Sequence, residues 1–298
     1  MEKNDLPSSG DIDKISLDIL KRSKSWGVFP TPVDRIVDFS ELLVNNQIDI
    51  STVQESYLQR APAALFKALG KVRGLFDRTK KTIYLDLSQL PTRKNFVKLH
   101  ETGHGVLPWQ QKIHEIIEDD DHSLSAHANE EFEMEANYFA SVTLFQHGRF
   151  KDEMKKLNLG IDAAMHLAKL FGASVHATLR RFVESSTKRC ALIVLEKSTG
   201  VIATLGFIKR NFITSDRFDK TFGKIDLPDS FGLEWDFVKA YHYRRKGIVS
   251  GEVNIATQNG TEAFVFQFFN NSYNGFVLLY PVGERQSSRT TIIIAESK

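Results

Sequence analysis

The stretch KLHETGHGVLPWQ, residues 98–110, decides how this chain is read. It places His100 and His104 four residues apart, with Glu101 directly after the first histidine. On a helix, side chains four apart lie on one face, one turn above each other. Two imidazoles at that spacing can point at one ion, so His100 and His104 are candidate metal ligands. Glu101, one residue on, is turned by about 100° around the helix axis. It is poorly placed as a third ligand and well placed to hold a water beside the ion. Gly103 and Gly105 weaken such a helix by roughly 1 kcal/mol each, which implies that something packs closely against it.

His-Glu-x-x-His is the pattern of zinc hydrolases, with the glutamate as general base. The metal polarises the scissile carbonyl and acidifies a water. The glutamate, here Glu101, takes the proton and passes it to the leaving nitrogen. A catalytic zinc uses three protein ligands and keeps one position open. The metzincin pattern would need Gly at 107 and His at 110, but the chain has Leu107 and Gln110. The third ligand is therefore sought downstream in NEEFEMEANYFAS, residues 129–141. Glu133 lies beside an apolar stripe of Phe132, Ala136, Phe139, Ala140 and Thr143, where a carboxylate is costly unless paired or metal-bound. Glu133 leads, and Glu130, one turn earlier, is its rival. Asn137, four residues beyond Glu133, is a candidate to fix a ligand histidine from behind. Glu130, Glu131 and Glu135 otherwise read as a solvated face, and His114, His122 and His127 as loop histidines. The donor types suit Zn²⁺ and also admit another divalent metal such as Mn²⁺.

Working outward, RGLFDRTKKTIYLDLSQLP (73–91) reads as a hairpin around a polar turn. The strand at Ile83, Tyr84 and Leu85 is a candidate to pair with an extended substrate, which makes Tyr84 a candidate substrate-binding residue. An inward core position is the other reading of Tyr84. Pro91-Thr92 opens the histidine helix. Further upstream, Ile12, Ile15, Ile19 and Leu20 mark a helix. Thr31-Pro32 reads as the start of a second helix that runs through Val33, Ile36, Val37 and Leu43. Tyr57 to Leu69 has helical spacing limited by Pro62. The segment IDAAMHLAKLFGASVHATLRRFVE (161–184) reads as two short helices joined at Gly172-Ala173-Ser174, with Ser174 as N-cap. From about Lys188 the character changes. CALIVLEK, VIATLGFI, EVNIAT, EAFVFQFF, GFVLLYPV and TTIIIAES are β-branched and aromatic runs, interrupted by one helix from Glu234 to Tyr243.

The bulk composition fits this picture. The 298 residues are 42% hydrophobic and 26% charged with a formal charge of +2, which gives no global bias toward polyanions. The single cysteine, Cys190, excludes an intramolecular disulfide and any paired-cysteine metal knuckle, and reads as a core residue at the start of a strand. No run of 18 apolar residues exists, so no membrane span is expected. The polar start MEKNDLPSSGDIDK has no signal-peptide apolar region, and a cytoplasmic location is expected.

These residues resemble the ImmA/IrrE family of bacterial and phage metallopeptidases. The resemblance rests on HETGH (100–104) followed by EMEANYFA (133–140), which matches the family's E-x-x-A-N-x-F-A glutamate helix. It extends upstream to TIYLDLSQLPTRKNFVKLHE and downstream to LAKLFGASVHATLRRF, covering roughly residues 30–185. It implies that Glu133 completes the metal site in the gluzincin manner. It also implies a helix-turn-helix transcriptional repressor as protein substrate, cut to switch on stress-response or mobile-element genes. The chain departs from the family where VTLFQHGRF (142–150) replaces a Leu-Leu-Met-Pro-like helix end. No signature is recognisable after residue 188.

The resulting expectation is an α+β chain. Residues 1–10 form a disordered tail, 11–160 a mostly helical zincin-like domain with a small sheet, 161–187 a helix-turn-helix-like segment, and 188–298 a β-rich domain. That last domain would be sensory or partner-binding, responding to a small-molecule or protein trigger. The competing expectation is a DNA- or ligand-binding regulator whose metal site is not catalytic. Arg180 and Arg181 could then touch phosphate, but VHATLRR offers few side chains that read base edges. Direct DNA contact is therefore not expected.

Overall fold

The computed structural model describes residues 6–49, 74–113, 126–197, 206–242 and 247–284. The expected helix at 57–69, His114, His122 and the run TTIIIAES lie outside them, as do residues 201–205 of VIATLGFI. The chain divides into two compact units, one of Met1–Phe150 with Lys169–Ser174, the other of Lys151–Ala168 with Val175–Lys298. Among the described residues no helix is long and apolar enough to cross a membrane.

The first unit opens with α1 (Ser9–Arg22), which buries Ile12, Ile19 and Leu20 and carries Lys21 and Arg22 in its last turn. Part of the stretch 1–10 expected as a tail is described. Leu6 is buried and the helix begins at Ser9, because an apolar side chain there has a core to enter. Next, α2 (Val33–Phe39) is shorter than expected. Thr31 does not cap it; its hydroxyl donates to the Leu144 carbonyl at 2.7 Å. Leu43 is not helical either. Glu41 takes a positive φ of 58°, which breaks the helix, and Leu43 starts β1 (Leu43–Asp49).

The expected hairpin is β2 (Gly74–Asp77) and β3 (Thr82–Leu85), paired Leu75 to Tyr84 and Phe76 to Ile83. Asp77 closes its turn by accepting from the Lys80 amide at 2.9 Å. The sheet order is β1-β3-β2, with β1 parallel to β3. The histidine helix is α3 (Pro91–Val106), with proline in its first turn. The glutamate helix is α4 (Ala126–Leu144), and it buries Phe132, Ala136, Phe139, Ala140 and Thr143 as the spacing predicts. Gly103 lets the two helices meet. A Cβ there would lie 3.2 Å from the Ala136 Cα and 3.2 Å from the Phe139 ring.

Two helices begin in one unit and end in the other, α5 (Gly148–Met154) and α6 (Ile161–Phe171). The second unit continues with α7 (Val175–Glu184), β4 (Ala191–Lys197), β5 (Phe207–Thr214), α8 (Asp216–Phe222) and β6 (Ser230–Phe231). It ends with α9 (Asp236–His242), β7 (Val249–Thr257), β8 (Gly260–Asn270) and β9 (Asn274–Pro281). Its strands form one antiparallel sheet in the order β6-β5-β4-β9-β8-β7. Phe207, Phe218, Phe231, Phe237, Phe264 and Phe276 are fully buried there. The two short helices at 161–184 do form, with Gly172 between them at φ 70°. The apolar face of α7 (Thr178, Leu179, Phe182, Val183) is buried and packs on β4 and β5. Cys190 is buried immediately before β4, and burial pushes its thiol up to about 11.

Candidate metal centre

Three side chains from two helices converge. His100 and His104 come from α3, and Glu133 from α4. The two histidine Nε2 atoms stand 3.2 Å apart. Glu133 places Oε2 3.2 Å from His100 Nε2 and Oε1 3.4 Å from His104 Nε2. An ion held tetrahedrally with bonds of about 2.0–2.1 Å keeps its ligands about 3.3 Å apart. The three observed separations fit that triangle, and two imidazoles with one carboxylate form a donor set suited to zinc and to neighbouring divalent metals. Of the two rival glutamates, both exposed, Glu133 is the one within ligand distance of the histidines.

Glu101 is buried beside the triangle. Its close neighbour is the edge of β2, where a Cβ on Gly74 would come 2.5 Å from Glu101 Oε1. The glycine at 74 is what lets the carboxylate lie against the strand. Burial raises the Glu101 carboxyl above the usual carboxylate range, opposed by the positive charges of His100, His104 and Arg78. Glu133 is held far below that range by the hydrogen bonds from His100 and His104. For His104, burial works against the charged form, but the hydrogen bonds to Glu133 and Gln110 and the charges of Glu101 and Glu133 outweigh it and raise the imidazole.

The triangle opens into a cleft of about 650 Å³. Its walls include Leu75 and Phe76 of β2, Arg78 of the hairpin, Phe96 of α3, and Phe132 and Asn137 of α4. Asn137 is exposed in that wall, whereas the group behind His104 is Gln110, whose Oε1 lies 2.8 Å from His104 Nδ1. Tyr84 is half-buried on β3. That strand is central, bonded to β1 on one side and β2 on the other, so it has no free edge for a substrate. The strand that borders the cleft is β2, which is an edge strand among the described residues.

The solvated face expected on α4 holds for exposed Glu130 but not for Glu135, which is 3% exposed. Glu135 Oε2 accepts from Trp109 Nε1 and from Gln110 Nε2, both at 2.7 Å. Gln110 was legible only as a residue that, with Leu107, breaks a metzincin pattern, and Trp109 carried no signal. The buried position of Gln110 follows from residues 108–113 turning back onto α4, which no local periodicity signals.

Residues 63–183 match the family model of the IrrE N-terminal-like domain. Among solved structures, a Mycobacterium tuberculosis transcriptional regulator is similar at 14% identity and a TM-score of 0.50, over 91% of this chain and 75% of that chain. At that identity the likeness concerns the fold. No curated protein sequence matches the chain. Because the histidine and glutamate helices both lie within the matched segment and their side chains meet as the HExxH-plus-glutamate pattern requires, the chain carries an IrrE-like peptidase domain with a metallopeptidase active site.

Proposed function

We propose that this chain is a zinc-dependent cytoplasmic endopeptidase that cleaves a helix-turn-helix transcriptional repressor, switching on stress-response or mobile-element genes. The observation that carries the reading is the tetrahedrally spaced triangle of His100, His104 and Glu133 with buried Glu101 beside it. A divalent cation held by those three side chains supplies Lewis acidity toward the scissile carbonyl. Glu101 takes a proton from the attacking water at its carboxylate and delivers it to the departing amide nitrogen. Its raised carboxyl suits a group that must both accept and return a proton near neutral pH.

An extended substrate segment adds to the edge of β2 that is unpaired among the described residues, with its side chains against Leu75, Phe76, Phe96 and Phe132. Asn137, facing the same cleft, is placed to bond the substrate backbone. The repressor substrate rests on the family resemblance, and the M. tuberculosis protein of similar fold is itself a transcriptional regulator. Residues 188–298 serve as a sensory or partner-binding domain that answers a small-molecule or protein trigger.

The test is incubation of the zinc-loaded protein with helix-turn-helix repressors from the same genome, followed by mass spectrometry of the fragments. Cleavage at one bond, lost in Glu101→Gln while zinc is retained, is expected. Intact repressor with zinc-loaded protein, with and without cell extract as a source of trigger, would reject the proposal.

A further inference from the structure

The network behind His104 is more specific than a generic support. His104 Nδ1 lies 2.8 Å from Gln110 Oε1. The Gln110 amide nitrogen has two protons, and each has a partner: the Phe132 carbonyl at 3.2 Å and Glu135 Oε2 at 2.7 Å. Glu135 Oε2 also accepts from the Trp109 indole at 2.7 Å. Gln110 is wholly buried and Glu135 nearly so.

This arrangement fixes which way round the amide sits. Turned over, Gln110 would aim its carbonyl oxygen at two acceptors, the Phe132 carbonyl and the Glu135 carboxylate. Its nitrogen would then face His104. A side-chain amide oxygen accepts and its nitrogen donates, so the orientation held by Glu135 presents an acceptor to His104 Nδ1. The Gln110 oxygen, 2.8 Å from Nδ1, thereby draws the proton of neutral His104 to Nδ1 against the more distant Glu133 Oε1, 3.4 Å from Nε2, and leaves the Nε2 lone pair for an ion in the triangle.

We propose that Gln110 and Glu135 are positioning residues that lock His104 in the Nδ1–H tautomer, so that Nε2 is ready for the metal. This rests on reading the triangle as a metal site. The same helix then does two tasks: α4 provides the third ligand through Glu133 and, two residues on and on its inner side, the anchor for the second ligand through Glu135. A histidine with the wrong proton must first shift it before it can bind a metal, which weakens binding without any change in the ligand triangle.

The experiment has two readouts. In metal-free protein at about pH 9.5, above the ordinary histidine range, imidazole nitrogen NMR shifts report the tautomer of His104. Competition with a chromophoric chelator reports zinc affinity. Wild type is expected to carry the proton on Nδ1. Gln110→Ala and Glu135→Ala are expected to give mixed tautomers and to bind zinc about 10- to 100-fold more weakly. Gln110→Glu sets two carboxylates against each other and also loses affinity. Gln110→Met keeps the bulk and burial of the side chain while removing its acceptor, and is expected to give the same mixed tautomers and weakened binding. A tautomer shift in a folded protein is beyond a merely structural role, and the variant of similar size keeps the comparison informative if an alanine variant unfolds. A wild-type His104 protonated on Nε2, or a folded Gln110→Ala or Gln110→Met with unchanged tautomer and affinity, would each overturn the proposal. Failure of wild type to bind zinc would reject the metal reading instead, while the tautomer would still decide this one.

Discussion

Glu133 and Glu135 sit two residues apart on α4 and face nearly opposite ways, since two helical steps turn a side chain by about 200°. One faces the cleft and the ion triangle; the other is buried against Gln110 and Trp109. Glu101, on the neighbouring helix, is the residue proposed as the base. Replacing it by glutamine keeps size and burial and removes the base. Glu101→Gln is expected to lower kcat by about 10²- to 10⁴-fold with zinc content unchanged, as read by turnover and elemental analysis on one sample; loss of zinc in step with activity would give Glu101 a ligand's part instead. Gly74 tests the same carboxylate from the other side. A methyl group there would meet both Glu101 Oε1 and Val97 Cγ1 at 2.5 Å. Gly74→Ala is expected to cost about 10²-fold in kcat through misplacement of Glu101, with the metal retained. Cys190 provides a control in the other unit: buried and pushed up to about 11, it should not react with a disulfide reagent at neutral pH until the protein is unfolded.

Among the elements, the contact between α3 and α4 decides whether there is a site at all, because each contributes part of the triangle. Gly103 sits at that contact with 3.2 Å of room to the Ala136 backbone. Gly103→Val is expected to destabilise the fold by about 1–3 kcal/mol through overpacking and to weaken zinc binding as the helices part, measured by denaturant unfolding and chelator competition. An unchanged midpoint with full affinity would remove the close approach as the reason for glycine. The long helices were the legible part of this sequence, for a physical reason. Their apolar residues repeat at the helical period, and Pro91 marks where α3 begins. β1 was not legible. Its sequence LVNNQID is polar, and it is a strand only because β3, more than thirty residues later, supplies a parallel partner. A strand's own residues likewise do not say which of its edges is free, and β3, which carries Tyr84, has both edges paired.

For the molecule as a whole, protons and metal compete for one site. In the metal-free state the raised His104 contributes stability that is present below the ordinary histidine pKa and lost as pH rises through the raised value. The lowered Glu133 contributes stability present above the ordinary carboxylate pKa and lost as pH falls. Bound metal requires both histidines unprotonated, so its stabilisation runs the other way from that of the His104 proton. The rise in Tm on adding zinc should therefore grow between about pH 5.5 and pH 8; a rise that is flat or shrinks over that span would contradict the linkage. What the sequence shows at this scale is uneven. The triangle follows from two short motifs, because helical spacing and donor type carry it. Gln110 and Glu135 do not, because whether a polar side chain is buried depends on partners brought from elsewhere in the chain. The role of the second unit is equally hidden, since strand-forming runs announce a sheet but not what it does.

The most direct test of the metal centre is elemental analysis of the purified protein beside His100→Ala and Glu133→Ala, each checked for folding by circular dichroism. About one zinc per chain in the wild type, lost in both variants, is the predicted result. No metal in the wild type even after zinc is supplied, or zinc retained in both folded variants, would contradict it.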